Sequence, residues 1–177
     1  MPGRSPGEGR LDLPALAEYV AETLDIGPGT RVFEVDCGNG EFLFPFYSNG
    51  YIVGGSDDDP AAIAHARAEM PEGVFTVGMA AALDPATPWD AVVCRSFSGS
   101  SAVSSTVALA EGEASAKAEA PDLDYMRGLV SRMFAKAMHA IALLNVPEAH
   151  HQALMHALAE VGARAVQIEG KNIFARV

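Results

Sequence analysis

The sequence predicts an α/β fold with a mostly parallel sheet, on three observations. Short apolar runs (RVFEVD, YIVGGSD, GVFTVGM, PWDAVVC, HAIALLNV) alternate with stretches of helical period, and strand-helix alternation is what lays helices on the faces of a parallel sheet. Ala91, Val92 and Val93 make a continuous apolar run, as expected of a strand covered on both faces. A glycine-rich turn, Cys37-Gly38-Asn39-Gly40, directly follows the first strand and opens into a helix.

Taken in order, LPALAEYVAETL places Leu13, Leu16, Tyr19, Val20, Thr23 and Leu24 on one helical face, and the run stops at the Gly/Pro cluster DIGPGT. A strand is expected at about 31 to 36 and a helix from about Asn39 to Ser48. The unit then repeats as a strand at about 51 to 57 and a helix opening at Pro60, which suits a first-turn position, with Asp59 as its cap. GVFTVGM is the third strand, and residues 89 to 95 are the fourth. Residues 96–120 turn to Ser, Ala and Glu without an apolar period and are expected to be an insert or lid. Helical period returns at Leu123, Met126, Leu129, Val130, Met133, Phe134 and Ala137. The fifth strand, HAIALLNV, and the helix EAHHQALMHALAEVG follow, and ARAVQIEGKNIFARV reads as a closing hairpin about Glu169 and Gly170.

Bulk properties narrow the function. The 177 residues fit one domain, 1–177, with residues 1–12 as a flexible leader. A net charge of -11 repels a phosphate backbone, so no nucleic-acid partner is expected. The amino end lacks a signal-type apolar core and no run is long enough for a membrane span, which points to a cytoplasmic protein without a membrane partner. Cys37 and Cys94 are the only cysteines; they are read as free thiols, and no metal site is expected.

A parallel sheet receives ligands outside the carboxyl ends of its strands, where strand order reverses. The turn Glu34-Val35-Asp36-Cys37-Gly38-Asn39-Gly40 stands there, and its glycines allow positive φ and close approach of a ligand. A dinucleotide fingerprint would need a third glycine where Leu43 stands, which leaves a nucleotide-dependent oxidoreductase as a weaker reading, testable with NADH.

The spacing of Glu34, Gly38 and Gly40 in VFEVDCGNGEFL resembles the first motif of the class I S-adenosylmethionine-dependent methyltransferases. Asp57, ending the second strand, is similar to that family's ribose-binding acid; VGMAAAL resembles its G-D-A-x-x-L, PWDAVV its fourth-strand phrase, and GKNIFARV its antiparallel seventh strand. The resemblance implies a three-layer αβα sandwich with a mostly parallel seven-stranded sheet whose last strand is antiparallel. It implies S-adenosyl-L-methionine as cofactor, held by Glu34, Asp36, Cys37, Gly38, Gly40, Asp57, Asp58, Met79, Ala80 and Arg95. The family's N-P-P-F/Y phrase for base methylation is missing after the fourth strand, so the implied substrate is a small molecule.

Two positions depart from the pattern. Asp36 stands where the family usually has its first glycine, beside the path of the cofactor's methionine part; two charges 4 Å apart interact by about 4 kcal/mol at an effective dielectric near 20, so Asp36 opposes a carboxylate and favours an ammonium. Met79 replaces an aspartate that accepts from the adenine amino group. An inactive, methyltransferase-like binding or scaffold protein is therefore the alternative to an active transferase. His150 and His151, after the fifth strand, are weak candidates for a general base, against a role in starting the following helix. His65, His139 and His156 lack acid partners at ligand spacing. The acceptor pocket is left to the leader helix, the insert or a partner chain, and a homodimer is one way to complete it.

Overall fold

The computed structural model describes residues 12–78, 88–95 and 122–177. The leader (1–11), Met79, Ala80, Ser96 and the insert expected at 96–120 lie outside the described residues.

Helix α1 (Leu13–Leu24) starts where Asp12 accepts from the Ala15 N–H at 3.2 Å, with Pro14 in the first turn. It ends at Asp25, which turns left-handed at φ 51. Strand β1 (Arg31–Val35) is followed by α2 (Leu43–Ser48), β2 (Ile52–Asp57) and α3 (Pro60–Glu69). The cap on α3 is as expected: Asp59 Oδ1 accepts from Ala61 N–H at 2.8 Å, filling one of the helix's orphan donors. Strands β3 (Val74–Val77) and β4 (Trp89–Cys94), helix α4 (Leu123–Lys136), strand β5 (Ala137–Leu143), helix α5 (Glu148–Glu160), and strands β6 (Arg164–Glu169) and β7 (Asn172–Arg176) complete the order.

Several boundaries differ from expectation, among them the end of β5 at Leu143, three residues before Val146, and two have a clear local cause. Helix α2 begins at Leu43, not Asn39, because Gly38 and Gly40 sit at φ 55 and 82. Helical φ cannot propagate through them, and residues 38–42 form tight turns instead, with Gly40 N–H donating to Cys37 O at 3.0 Å. Strand β5 begins two residues early, at Ala137, which pairs with Trp89. No connecting residue separates it from α4: Lys136 ends the helix, and Ala137, at φ -83 and ψ 135, is already extended.

The seven strands form one sheet in the order β3-β2-β1-β4-β5-β7-β6. The pairs β1–β2, β1–β4, β2–β3 and β4–β5 are parallel, and β7 is antiparallel to both neighbours, β5 and β6. Period-two alternation sorts the side chains onto two cores. Phe33, Val35, Val92 and Cys94 pack with Met126, Leu129, Met133, Leu154 and Leu158 under α4 and α5. Val32, Val53, Ala91 and Val93 pack with Val20, Leu24, Leu43, Phe46 and Ile63 under α1, α2 and α3. Three layers result, as the resemblance implied. No helix among the described residues is long and apolar enough to cross a membrane.

Candidate functional site

Strand order reverses between β1 and β4, so the ligand crevice opens above their carboxyl ends. Parallel register aligns Ser56, Val35, Cys94 and Leu143 in one row across β2, β1, β4 and β5. The next residue of each strand carries the chemistry: Asp57 leaves β2, Asp36 leaves β1 and Arg95 leaves β4, side by side along the edge.

Asp57 organises the loop. It is 2% exposed; its Oδ2 accepts from the Gly38 N–H at 2.8 Å, and its Oδ1 accepts from the Asp59 N–H at 3.0 Å. One carboxylate thus ties the glycine turn to the start of α3, with lone-pair capacity left on both oxygens. Asp58, next along, is exposed.

A β-carbon on Gly38 would meet no atom of the described residues within 4 Å, so among them the backbone there faces open space at positive φ. Gly40 is the reverse case. Its β-carbon would lie 2.5 Å from Met70 Cε and 3.3 Å from Ala66 Cβ, so this glycine seats the loop on α3. Gly40→Ala, with that contact and φ 82, is expected to cost about 2 kcal/mol in a denaturant titration; an unchanged midpoint would contradict it.

Glu34 is fully buried. Its Oε1 receives Arg95 Nε at 3.2 Å, while Oε2 is buried without a hydrogen-bond partner among the described residues. Burial outweighs the guanidinium and pushes the carboxyl up to about 8. Arg95 also lies over the Phe42 ring, 5.8 Å from its centroid. Asp36 takes φ 55, the reason a glycine would be at home here; aspartate is among the few other residues that enter this region readily. Burial and then the charges of Asp57 and Asp58 raise its carboxyl to about 6.

Cys37 donates its N–H to Ser56 O at 3.0 Å and is fully buried. Its sulfur occupies space that a β-carbon on Gly55 would take, at 2.6 Å. Burial, reinforced by Glu34 and Asp57, pushes the thiol up, so it is a packing group and not a nucleophile. Cys94 is also a buried free thiol. His150 is buried in the first turn of α5, and the His151 ring nitrogen Nε2 lies 3.2 Å from Val146 O, next to the helix start. His139 meets Asp90 at 3.3 Å, and His156 meets Glu160 at 3.1 Å. No group of metal-ligating side chains occurs among the described residues.

One residue escaped the sequence reading. Tyr125, in the first turn of α4, is half-buried and within electrostatic reach of Asp36 and Cys94; burial first, then Asp36, raises its phenol. Its only signal in the sequence is its place just after the Ser/Ala-rich segment and the capping Asp122, which accepts from its N–H at 3.0 Å. A cavity of about 600 Å³, lined in part by Asn39, Gly40, Phe44, His65 and Met70, lies elsewhere and touches neither Asp36, Gly38 nor Asp57.

Fold and strand order are those of the class I S-adenosylmethionine-dependent methyltransferases. Among solved structures, the chain is similar to a sugar N-methyltransferase from Streptoalloteichus (TM-score 0.71, 16% identity, 100% of this chain and 95% of that one). It is also similar to a magnesium protoporphyrin IX methyltransferase from Synechocystis with bound SAM (TM-score 0.66, 16% identity, 96% and 86%). A third likeness is to a TehB-like SAM-dependent methyltransferase from Corynebacterium glutamicum (TM-score 0.65, 15% identity, 96% and 88%). No family model and no curated protein matches the sequence.

Proposed function

We propose that the protein transfers a methyl group from S-adenosyl-L-methionine to a small-molecule acceptor. The observation that carries this proposal is the open, positive-φ backbone at Gly38, flanked by the buried Asp57 carboxylate and by a buried Glu34 oxygen that lacks a partner among the described residues. An orphaned buried acceptor costs about 1–3 kcal/mol unless something satisfies it, and the ammonium of a methionine moiety is a suitable donor.

Asp57 would accept from the ribose hydroxyls while holding the loop. Backbone at Cys37 and Gly38 would lie against the methionine part, Glu34 and Asp36 would take its ammonium, and Arg95 would face its carboxylate. Met79 and Ala80 keep their proposed place beside the adenine on the resemblance alone. When bound, S-adenosylmethionine supplies an electrophilic methyl carbon whose leaving group is a neutral thioether. The chain then has to hold the acceptor in line and exclude water, tasks of positioning that require no catalytic dyad. We assign no proton transfer to His150 or His151. The net charge of -11 and relatives acting on a sugar and a porphyrin favour a small-molecule acceptor over nucleic acid.

Calorimetric titration with S-adenosylmethionine, with NADH alongside, tests the proposal. Micromolar binding of S-adenosylmethionine is expected, falling at least about tenfold in Gly38→Ala, whose added methyl group touches no atom of the described residues but is strained at φ 55, so thermal unfolding of the same variant has to show the loop intact. Silence from the native protein would leave the scaffold alternative, and heat from NADH alone would revive the oxidoreductase one.

A further inference from the structure

We infer that Asp36 makes this site charge-selective, so that it holds the sulfonium cofactor in preference to the thioether product. The inference rests on the proposed cofactor site and names which residue discriminates within it.

Along the carboxyl edge of the sheet, Asp36 stands between Asp57 on one side and Arg95 on the other. Its backbone takes φ 55 in the turn that joins β1 to Gly38, and the residue is half-buried, so its side chain does not have the freedom of a surface residue. Asp36 is within electrostatic reach of Glu34, Asp57 and Asp58, and Arg95 pairs with Glu34. A ligand resting on Gly38 therefore passes two residues from a half-buried carboxylate in a locally negative field.

S-adenosylmethionine and S-adenosylhomocysteine differ by one methyl group and one positive charge. Ribose, adenine, ammonium and carboxylate contacts are common to both, so they cancel in a ratio of affinities, and a carboxylate near the sulfur does not. During transfer the acceptor's lone pair forms a bond to the methyl carbon. The C–S bonding pair returns to sulfur, which becomes neutral, and the acceptor's displaced proton passes to water. Asp36 attracts what enters the cycle and loses that attraction once the methyl has moved, which turns a substitution at a glycine position into an aid to product release. A carboxylate about 6 Å from the sulfur at an effective dielectric near 20 would change the ratio by up to about a hundredfold; solvent and salt bring the expectation to about tenfold.

The test compares dissociation constants of S-adenosylmethionine, S-adenosylhomocysteine and sinefungin, whose protonated amine places a cation at the sulfonium position, by calorimetry at low salt. The native protein should hold S-adenosylmethionine about tenfold tighter than S-adenosylhomocysteine, with sinefungin behaving as the cation it is. Asp36→Asn preserves shape and tolerance of positive φ and should bring the ratio down about tenfold; Asp36→Gly, free of strain there, should do the same. Native and variant proteins binding both adenosyl ligands with one unchanged ratio would overturn the inference and leave the cofactor site standing. Failure of every protein to bind either ligand would remove the site itself.

Discussion

Replacing Asp57 by alanine is expected to abolish measurable S-adenosylmethionine binding and to cost the ligand-free protein about 3 kcal/mol. The stability loss follows from two charge-assisted hydrogen bonds, to Gly38 N–H and Asp59 N–H, each in the range of about 1.5–3 kcal/mol when its acceptor is ionised. Partial rehydration of the freed donors brings the sum down. Under the proposed role, binding suffers twice, through the missing ribose acceptor and through a Gly38 backbone no longer tied to Asp57. Thermal unfolding and calorimetry on the same sample separate the parts: a midpoint lower by about 6–12 °C is expected for a chain of this size. Unaltered affinity in a folded variant would show that the carboxylate serves the loop alone.

The second large effect belongs to Glu34 and its partner Arg95 and depends on pH. Glu34 titrates at about 8 in the folded protein against an ordinary 4.5, so the native state binds this proton more tightly than the unfolded chain. Its contribution is fully present below about 4.5 and is lost as pH rises toward 8. Asp36, raised to about 6, adds a smaller loss of the same sign over a lower window. Without the guanidinium the buried carboxyl stays protonated, so Arg95→Ala should cost only about 1 kcal/mol more at pH 8.5 than at pH 5, while Glu34→Gln, the larger effect, should flatten the decline of stability with pH. Melting temperatures across that range decide it; an Arg95→Ala penalty equal at both ends would mean that the residue acts by packing on Phe42 and not by charge.

The parts of the molecule that depend on neighbours in the chain were legible from the residues. Asp59 capping α3, the apolar run of β4 and the acid closing β2 are local signals, and the structure places each within a residue of expectation. The onset of α2 was not, because Gly38 and Gly40 can adopt either sign of φ and only the folded loop chooses. The Glu34–Arg95 pair joins residues far apart in sequence through β1–β4 register, which no periodicity encodes. Position 34 was recognisable as a motif acid, yet its orphaned oxygen was invisible. Family likeness gave only an antiparallel last strand; the insertion of β7 between β5 and β6 was not legible, since a terminal hairpin alone does not say which of its strands lies inside. Tyr125 reaches the crevice by the angle of α4, a tertiary fact.

The direct passage from Lys136 into Ala137 gives α4 an unusual mechanical character. With no slack at that end, and with Met126, Leu129, Val130 and Met133 buried against the sheet, the helix is clamped along its length, and Tyr125 stands about 17 Å from the joint at 1.5 Å per residue. Tyr125 is therefore held at a fixed place beside the sheet edge, a post around which anything entering the crevice has to fit.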